Sequence, residues 1–139
     1  MFTPRKKILD ALETVLSEGS GVTVLRNPLR QIPEGVRECV ACFVSGEDFK
    51  YPGGNRSMVP REKFYREMVL SVRILIQASD DHYEDRFEEI CRRCELAIGS
   101  RLPDASFQAF DMDYDGSGAE VVAMGTYTLS ITADENMES

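Results

Sequence analysis

Between Phe64 and Ala78 the chain alternates apolar and polar residues for longer than anywhere else. Phe64, Met68, Leu70, Val72, Ile74, Ile76 and Ala78 alternate with Tyr65, Glu67, Ser71, Arg73 and Gln77, while Arg66, Val69 and Leu75 break the pattern. Successive side chains of a strand point to opposite faces, so a period of two predicts a β-strand with one buried face. At about 3.3 Å per residue this strand spans roughly 50 Å. A strand of that length either projects beyond its own core or bends.

The remaining segments have to pack around it. Thr3-Pro4 is a helix start, since Thr caps and Pro is tolerated at the first helical position. Ile8, Leu12, Val15 and Leu16 follow at the helical period, and Gly19-Ser20-Gly21 stops the helix. Val22–Arg26 reads as a short strand ended by Asn27-Pro28, and a loop with Pro33 and Gly35 leads to a second strand, Arg37–Val44. Gly46–Pro60 reads as a long loop marked by Pro52-Gly53-Gly54-Asn55. Ser79-Asp80-Asp81 caps a second helix, in which Tyr83, Phe87, Ile90, Cys91, Cys94, Ala97 and Ile98 share a face and Gly99 marks the end. Two strands follow, Ser106–Tyr114 and Glu120–Ala133, joined by Asp115-Gly116-Ser117-Gly118, a hairpin signal. Two helices cannot cover both faces of such a sheet. The expected fold is α+β, an antiparallel or mixed sheet of about five strands with two helices packed on one face. It forms a single domain over residues 1–133, with an acidic, disordered tail at 134–139.

With 139 residues, 42% hydrophobic and 29% charged, the composition is that of one globular domain. No apolar run is long enough for a membrane-spanning helix, so no membrane association is expected. Met1 to Lys7 lack the apolar stretch of a signal peptide, which predicts synthesis in the cytoplasm with the four cysteines reduced. The net charge of −8 is unevenly spread. Residues 1–101 hold all 16 Lys and Arg and an equal number of acids, whereas residues 102–139 hold acids and no base. Lys50, Arg56, Arg61, Lys63 and Arg66 face Glu62 alone within their stretch. Nonspecific nucleic-acid binding needs a net basic surface, which this chain lacks. One reading is plain solubility; the other pairs a basic loop on one copy with an acidic strand on the next.

Chemistry-bearing motifs are few. Cys39-x-x-Cys42 and Cys91-x-x-Cys94 have the text pattern of a four-thiolate zinc site. Within a strand, though, positions three apart face opposite sides, and the second pair lies on an apolar helix face. Buried cysteines acting as small hydrophobes account for all four, and a zinc-stabilised adaptor is the minor alternative. Asp111, Asp113, Asp115 and Gly116 match the first half of a calcium loop, but Val122 stands where the bidentate Glu is required. An acid-studded strand explains them; a small divalent-metal- or ligand-binding domain using Asp111, Asp113 and Asp115 is a second alternative. His82, the single histidine, falls in the first turn of a helix among acids. No hydrolase, phosphate-loop or zinc-protease motif is present. No enzyme activity and no cofactor are expected.

The element order and several segments resemble the tail terminator proteins of long-tailed phages, the minor tail protein U family. The resemblance runs from about Pro4 to Thr132. It rests on the Arg5-Lys-Lys-Ile-Leu-Asp-Ala-Leu12 helix, the Val22-Thr-Val-Leu-Arg26 strand, Ile32-Pro33-Glu34, Met68–Ile76, the Asp80-Asp81 helix and Val121–Ile131. It implies a noncatalytic ring, commonly a hexamer, that caps the growing tail tube and meets the head–tail connector in the virion. DNA would pass through its lumen without specific binding. Head–tail joining proteins have a similar layout. The resemblance carries over no catalytic residue. A head-to-tail ring needs two complementary patches; Lys50, Arg56, Arg61 and Lys63 on one side and Asp111, Asp113 and Glu120 on the other are the self-assembly candidates.

Overall fold

The computed structural model describes residues 4–27, 35–50, 65–78, 83–115 and 121–134. In chain order they form α1 (Pro4–Gly19), β1 (Thr23–Leu25), β2 (Glu38–Lys50), β3 (Tyr65–Ala78), α2 (Tyr83–Arg101), β4 (Ser106–Asp115) and β5 (Val121–Asp134). The strands make one mixed sheet in the order β1-β2-β3-β5-β4, with β1 parallel to β2 and every other pairing antiparallel. The fold is α+β.

The alternating run becomes the centre of the sheet. β3 pairs with β2 from Tyr65 to Ile76 and with β5 from Tyr65 to Ala78. It therefore does not project alone, because both neighbours run as far as it does. Gly46 to Lys50, expected as the first part of a loop, instead continue β2 and pair with Val69 to Tyr65, and the rest of that expected loop, residues 51–60, lies outside the described residues. The extra residue is Ser45, absorbed as a bulge between Val44 and Gly46. Its hydroxyl is hydrogen-bonded to that of Ser71. After the bulge Glu47 falls on the helix side, where Arg5 of α1 meets it at 3.2 Å. Ladder hydrogen bonds to an already formed β3 outweigh the weak strand propensity of Gly46, Glu47 and Asp48. Three boundaries also shift. β1 covers Thr23–Leu25 alone, α2 runs through Gly99 to Arg101, and Asp134, expected in the tail, closes β5.

Both helices lie on one face. Leu12 and Leu16 of α1, Ile90, Cys94 and Ile98 of α2, and Val40, Leu70, Val72, Ile74 and Leu129 of the sheet are fully buried in a single cluster. Each such aliphatic side chain contributes about 1.5–3 kcal/mol by leaving water. α1 can approach α2 closely because Gly19 has no side chain; a Cβ there would come within 2.5 Å of the Ala97 Cβ. Gly21, at φ 77°, then turns the chain into β1. The opposite face carries a smaller cluster of Cys39, Ala41 and Leu75, with Val36 and Met124 against it. Leu75 broke the sequence alternation because this second face is buried there too. Nearby, the Arg73 guanidinium lies 5.1 Å from the Phe43 ring centre, and its Nε donates to Thr126 Oγ1 at 3.0 Å.

Candidate assembly interface

The two edges of the sheet are unequal. β1 pairs only with Cys39–Ala41, so Cys42–Lys50 of β2 has no strand beside it on that edge among the described residues. On the other edge lies β4, ten residues long and solvent-exposed at every described side chain. A free edge presents a row of unpaired backbone donors and acceptors, which proteins ordinarily guard with Lys, Pro or a covering element. β4 contains neither Lys nor Pro.

The register sorts the side chains of β4 onto two faces. A shift between Phe107 and Ala109 sets Phe107 opposite Leu129, Phe110 opposite Tyr127, Met112 opposite Gly125 and Tyr114 opposite Ala123, all on the helix side. Asp111 and Asp113 oppose Thr126 and Met124 on the far side. α2 packs over β3 and β5 and leaves the β4 stripe open: Phe107, Phe110, Met112 and Tyr114 are 42%, 41%, 40% and 55% exposed. Isolated exposed apolar residues are ordinary, but a row of four on an edge strand is the pattern of an interaction surface.

Between that stripe and α2 lies a cavity of about 510 Å³, lined by Glu88, Cys91 and Glu95 of α2, Phe107 to Phe110 of β4 and Tyr127 of β5. Tyr127 is its floor. Its ring stands 4.5 Å from Phe110 and 5.5 Å from Phe107, centre to centre, and its hydroxyl donates to Glu95 Oε2. Burial, followed by that hydrogen bond to Glu95, raises the Tyr127 phenol well above its ordinary value. Gly125 makes room for the arrangement, because a Cβ there would come within 2.6 Å of both the Phe110 and Phe87 rings. A larger opening, about 850 Å³, lies at the end of the sheet around Arg37, Tyr83 and Arg86. There Arg86 already grips both oxygens of Glu38, at 2.6 and 3.0 Å.

The residues singled out in the sequence fall into several places. Asp111 and Asp113 share one face of β4, and Asp115 ends that strand. Lys50 is the last residue of β2. Arg56, Arg61, Lys63, His82, Glu120, the Pro52-Gly-Gly-Asn segment and the Ser79-Asp80-Asp81 cap lie outside the described residues. Cys39 and Cys42 project to opposite faces of the sheet, in different clusters, while Cys91 and Cys94 lie in the core beneath α2. All four are buried and reduced. Desolvation pushes the thiols of Cys42 and Cys91 up to about 11 and that of Cys94 to about 12. Such thiols stay protonated and unreactive at neutral pH. Among the described residues no three groups are placed to hold a metal ion, and no helix is long and apolar enough to cross a membrane. The sequence signal for the aromatic cavity is the alternation of Phe110, Met112 and Tyr114 with Asp111 and Asp113, and it gives no sign of the α2 residues that complete the lining.

No family model matches this sequence, and no curated protein matches it.

Proposed function

We propose that this chain is a noncatalytic structural protein that assembles head to tail into a ring. On the strength of its layout, the ring is of the tail-terminator kind found in long-tailed phages. The observation that supports the reading is the pair of unlike edges left open among the described residues, β4 on one side of the sheet and the Cys42–Lys50 part of β2 on the other. A self-complementary twofold dimer would pair like with like. Two different edges instead favour a heterologous contact, which closes into a ring or runs on as a filament. The strand directions suit such a contact. β2 and β4 run in opposite senses within one copy, so β2 of the next copy in the same orientation would continue the antiparallel order.

Charge supports the same contact. The acidic end of the chain contains β4, and the basic stretch Lys50–Arg66 begins where β2 stops. In this reading the ring caps the tail tube, presents its other side to the head–tail connector, and passes DNA through a lumen that does not bind it. No cofactor and no bond-making step are involved, and the site of action is the virion tail, after synthesis in the bacterial cytoplasm.

The test is the mass of the assembly. Wild-type protein should give a closed ring, a hexamer in this reading, by light scattering and negative-stain imaging. Reversing Arg56, Arg61 and Lys63 to Glu should leave monomers, and an unchanged mass in that variant rejects the charge pairing. Monomeric wild-type protein at every concentration rejects the ring.

A further inference from the structure

One side of β4 is complementary to itself, and the other side repels itself. In an antiparallel pair of two β4 strands centred on Met112, Phe110 of each copy stands opposite Tyr114 of the other, and Met112 meets its own counterpart. A pair centred on Asp111 would match only Phe110 with Met112, and one centred on Asp113 only Met112 with Tyr114. The Met112 register therefore buries the most of this exposed apolar row. Aromatic pairs across a bare edge invite two copies to join. The far side opposes that union in all three registers. The Met112 register sets Asp111 of each copy against Asp113 of the other, and the remaining two set Asp111 or Asp113 against its own counterpart. Like charges directly across a strand pair are destabilising.

We propose that Asp111 and Asp113 guard this edge, and that neutralising them lets β4 pair with β4 of a second copy in the Met112 register. Two observations besides the aromatic row carry the proposal. First, nothing across the ladder offsets the charge: both aspartates are exposed, and their partners on β5, Thr126 and Met124, are neutral. The nearest cation on that face, Arg73, lies one strand farther off and is turned onto Phe43 and Thr126. Second, the Tyr114 N–H donates to Asp113 Oδ1 at 2.9 Å, so a backbone donor of β4 is already engaged by its own aspartate. The guard is selective. Against β2 of another copy, Val44 can stand opposite Met112 with Phe43 opposite Asp113; Glu47 and Asp48 then lie level with Gln108 to Phe110, and no acid faces an acid. Lys and Pro, the commoner guards, would obstruct every partner, whereas aspartates obstruct chiefly a second β4. The inference concerns β4 alone and stands whether or not the ring forms.

Disulfide trapping on the full chain tests this. The four native cysteines are buried, so Met112→Cys, at an exposed position, adds the thiol that can link two copies, and only a pairing near the Met112 register brings two such thiols together. With Asp111 and Asp113 in place, mild oxidation should give little linked dimer on non-reducing gels. Adding Asp111→Asn and Asp113→Asn should raise the linked fraction about tenfold, as expected for relief of two like-charge pairs, with unchanged circular dichroism. Asp111→Lys with Asp113→Lys restores like charges of the other sign and should suppress linking again. Mixing that variant with the acidic one, both carrying Met112→Cys, should give mainly the mixed dimer. Equal linking in the acidic and Asn forms overturns the guard. No linking in any form overturns β4 as a self-pairing strand, and linking in the Asn form without a preference for the mixed dimer overturns charge as the cause. Ring mass is measured separately on wild-type protein, so monomers there reject the ring and leave this result unaffected.

Discussion

The two flanks of α2 are built on opposite principles. Toward α1, charges are matched within the chain: Arg101 reaches Glu18, Arg93 holds Glu89, and Gly19 lets the helices close against Ala97. Toward β4 the same helix carries Glu88, which has no ion pair among the described residues, and Glu95, which is held by the Tyr127 hydroxyl, beside exposed aromatic rings. The first flank is finished when the chain folds. The second resembles half of an interface, with an aromatic centre and polar margins. A helix can thus serve stability on one side and recognition on the other, provided its buried stripe of Phe87, Ile90, Cys94 and Ile98 holds it to the sheet.

The strongest way to break this contrast is to undermine both flanks from beneath. Cys42, Cys91 and Cys94 are held as neutral thiols, with values raised from 9.0 to about 11, 11 and 12. Between those limits the folded chain holds protons that the unfolded chain has lost, so stability falls as pH rises. The stabilisation is complete below pH 9 and is lost progressively through pH 11 to 12. Circular dichroism should show alkaline unfolding within that window, and an intact helical signal above pH 12 would contradict the burial argument. Next in size is Ile90→Ala, which empties core beneath both flanks and should cost about 2–5 kcal/mol in urea denaturation.

Gly125→Val acts on one flank only. Its side chain would strike Phe110 and Phe87, costing about 1–3 kcal/mol by overpacking, and should displace β4 and abolish assembly. A variant that keeps its ring mass would mean that β4 is not seated through Gly125. The smallest effects sharpen the comparison most. Arg101→Ala should cost only about 0.2–1 kcal/mol, as exposed ion pairs do, with ring mass unchanged. Glu88→Gln should leave urea stability unchanged and lower ring mass. The reverse pattern would erase the distinction between the flanks.

Much of this architecture was legible in the residues. The period of two at Met68 to Ile76, the Thr-Pro start and Gly-Ser-Gly stop of α1, and the apolar face of α2 fixed the fold class. So did the rule that Cys39 and Cys42, three apart in a strand, must part ways. The second half of β2 was hidden because Gly46, Glu47 and Asp48 are poor strand formers, and only the ladder supplied by β3 makes them extended. Single-sequence patterns do not carry that tertiary information. The cavity was hidden for a related reason. Phe107, Phe110, Tyr127, Glu88 and Glu95 come from three elements and form no motif, and a bulge-like shift after Phe107 decides which rings share a side.

The place of β3 in the sheet has a kinetic consequence. Its first partner, β2, precedes it directly, but its second, β5, joins it across 53 residues, as in the contact between Arg73 and Thr126. Distant pairings of that sort slow folding. During synthesis the β2–β3 hairpin therefore waits, with Leu70, Val72 and Ile74 along an uncovered side, until α2 and β5 have been made. The vulnerable moment for this protein is its birth, when aggregation competes with closure of the sheet, and slower translation at lower temperature should raise the soluble yield.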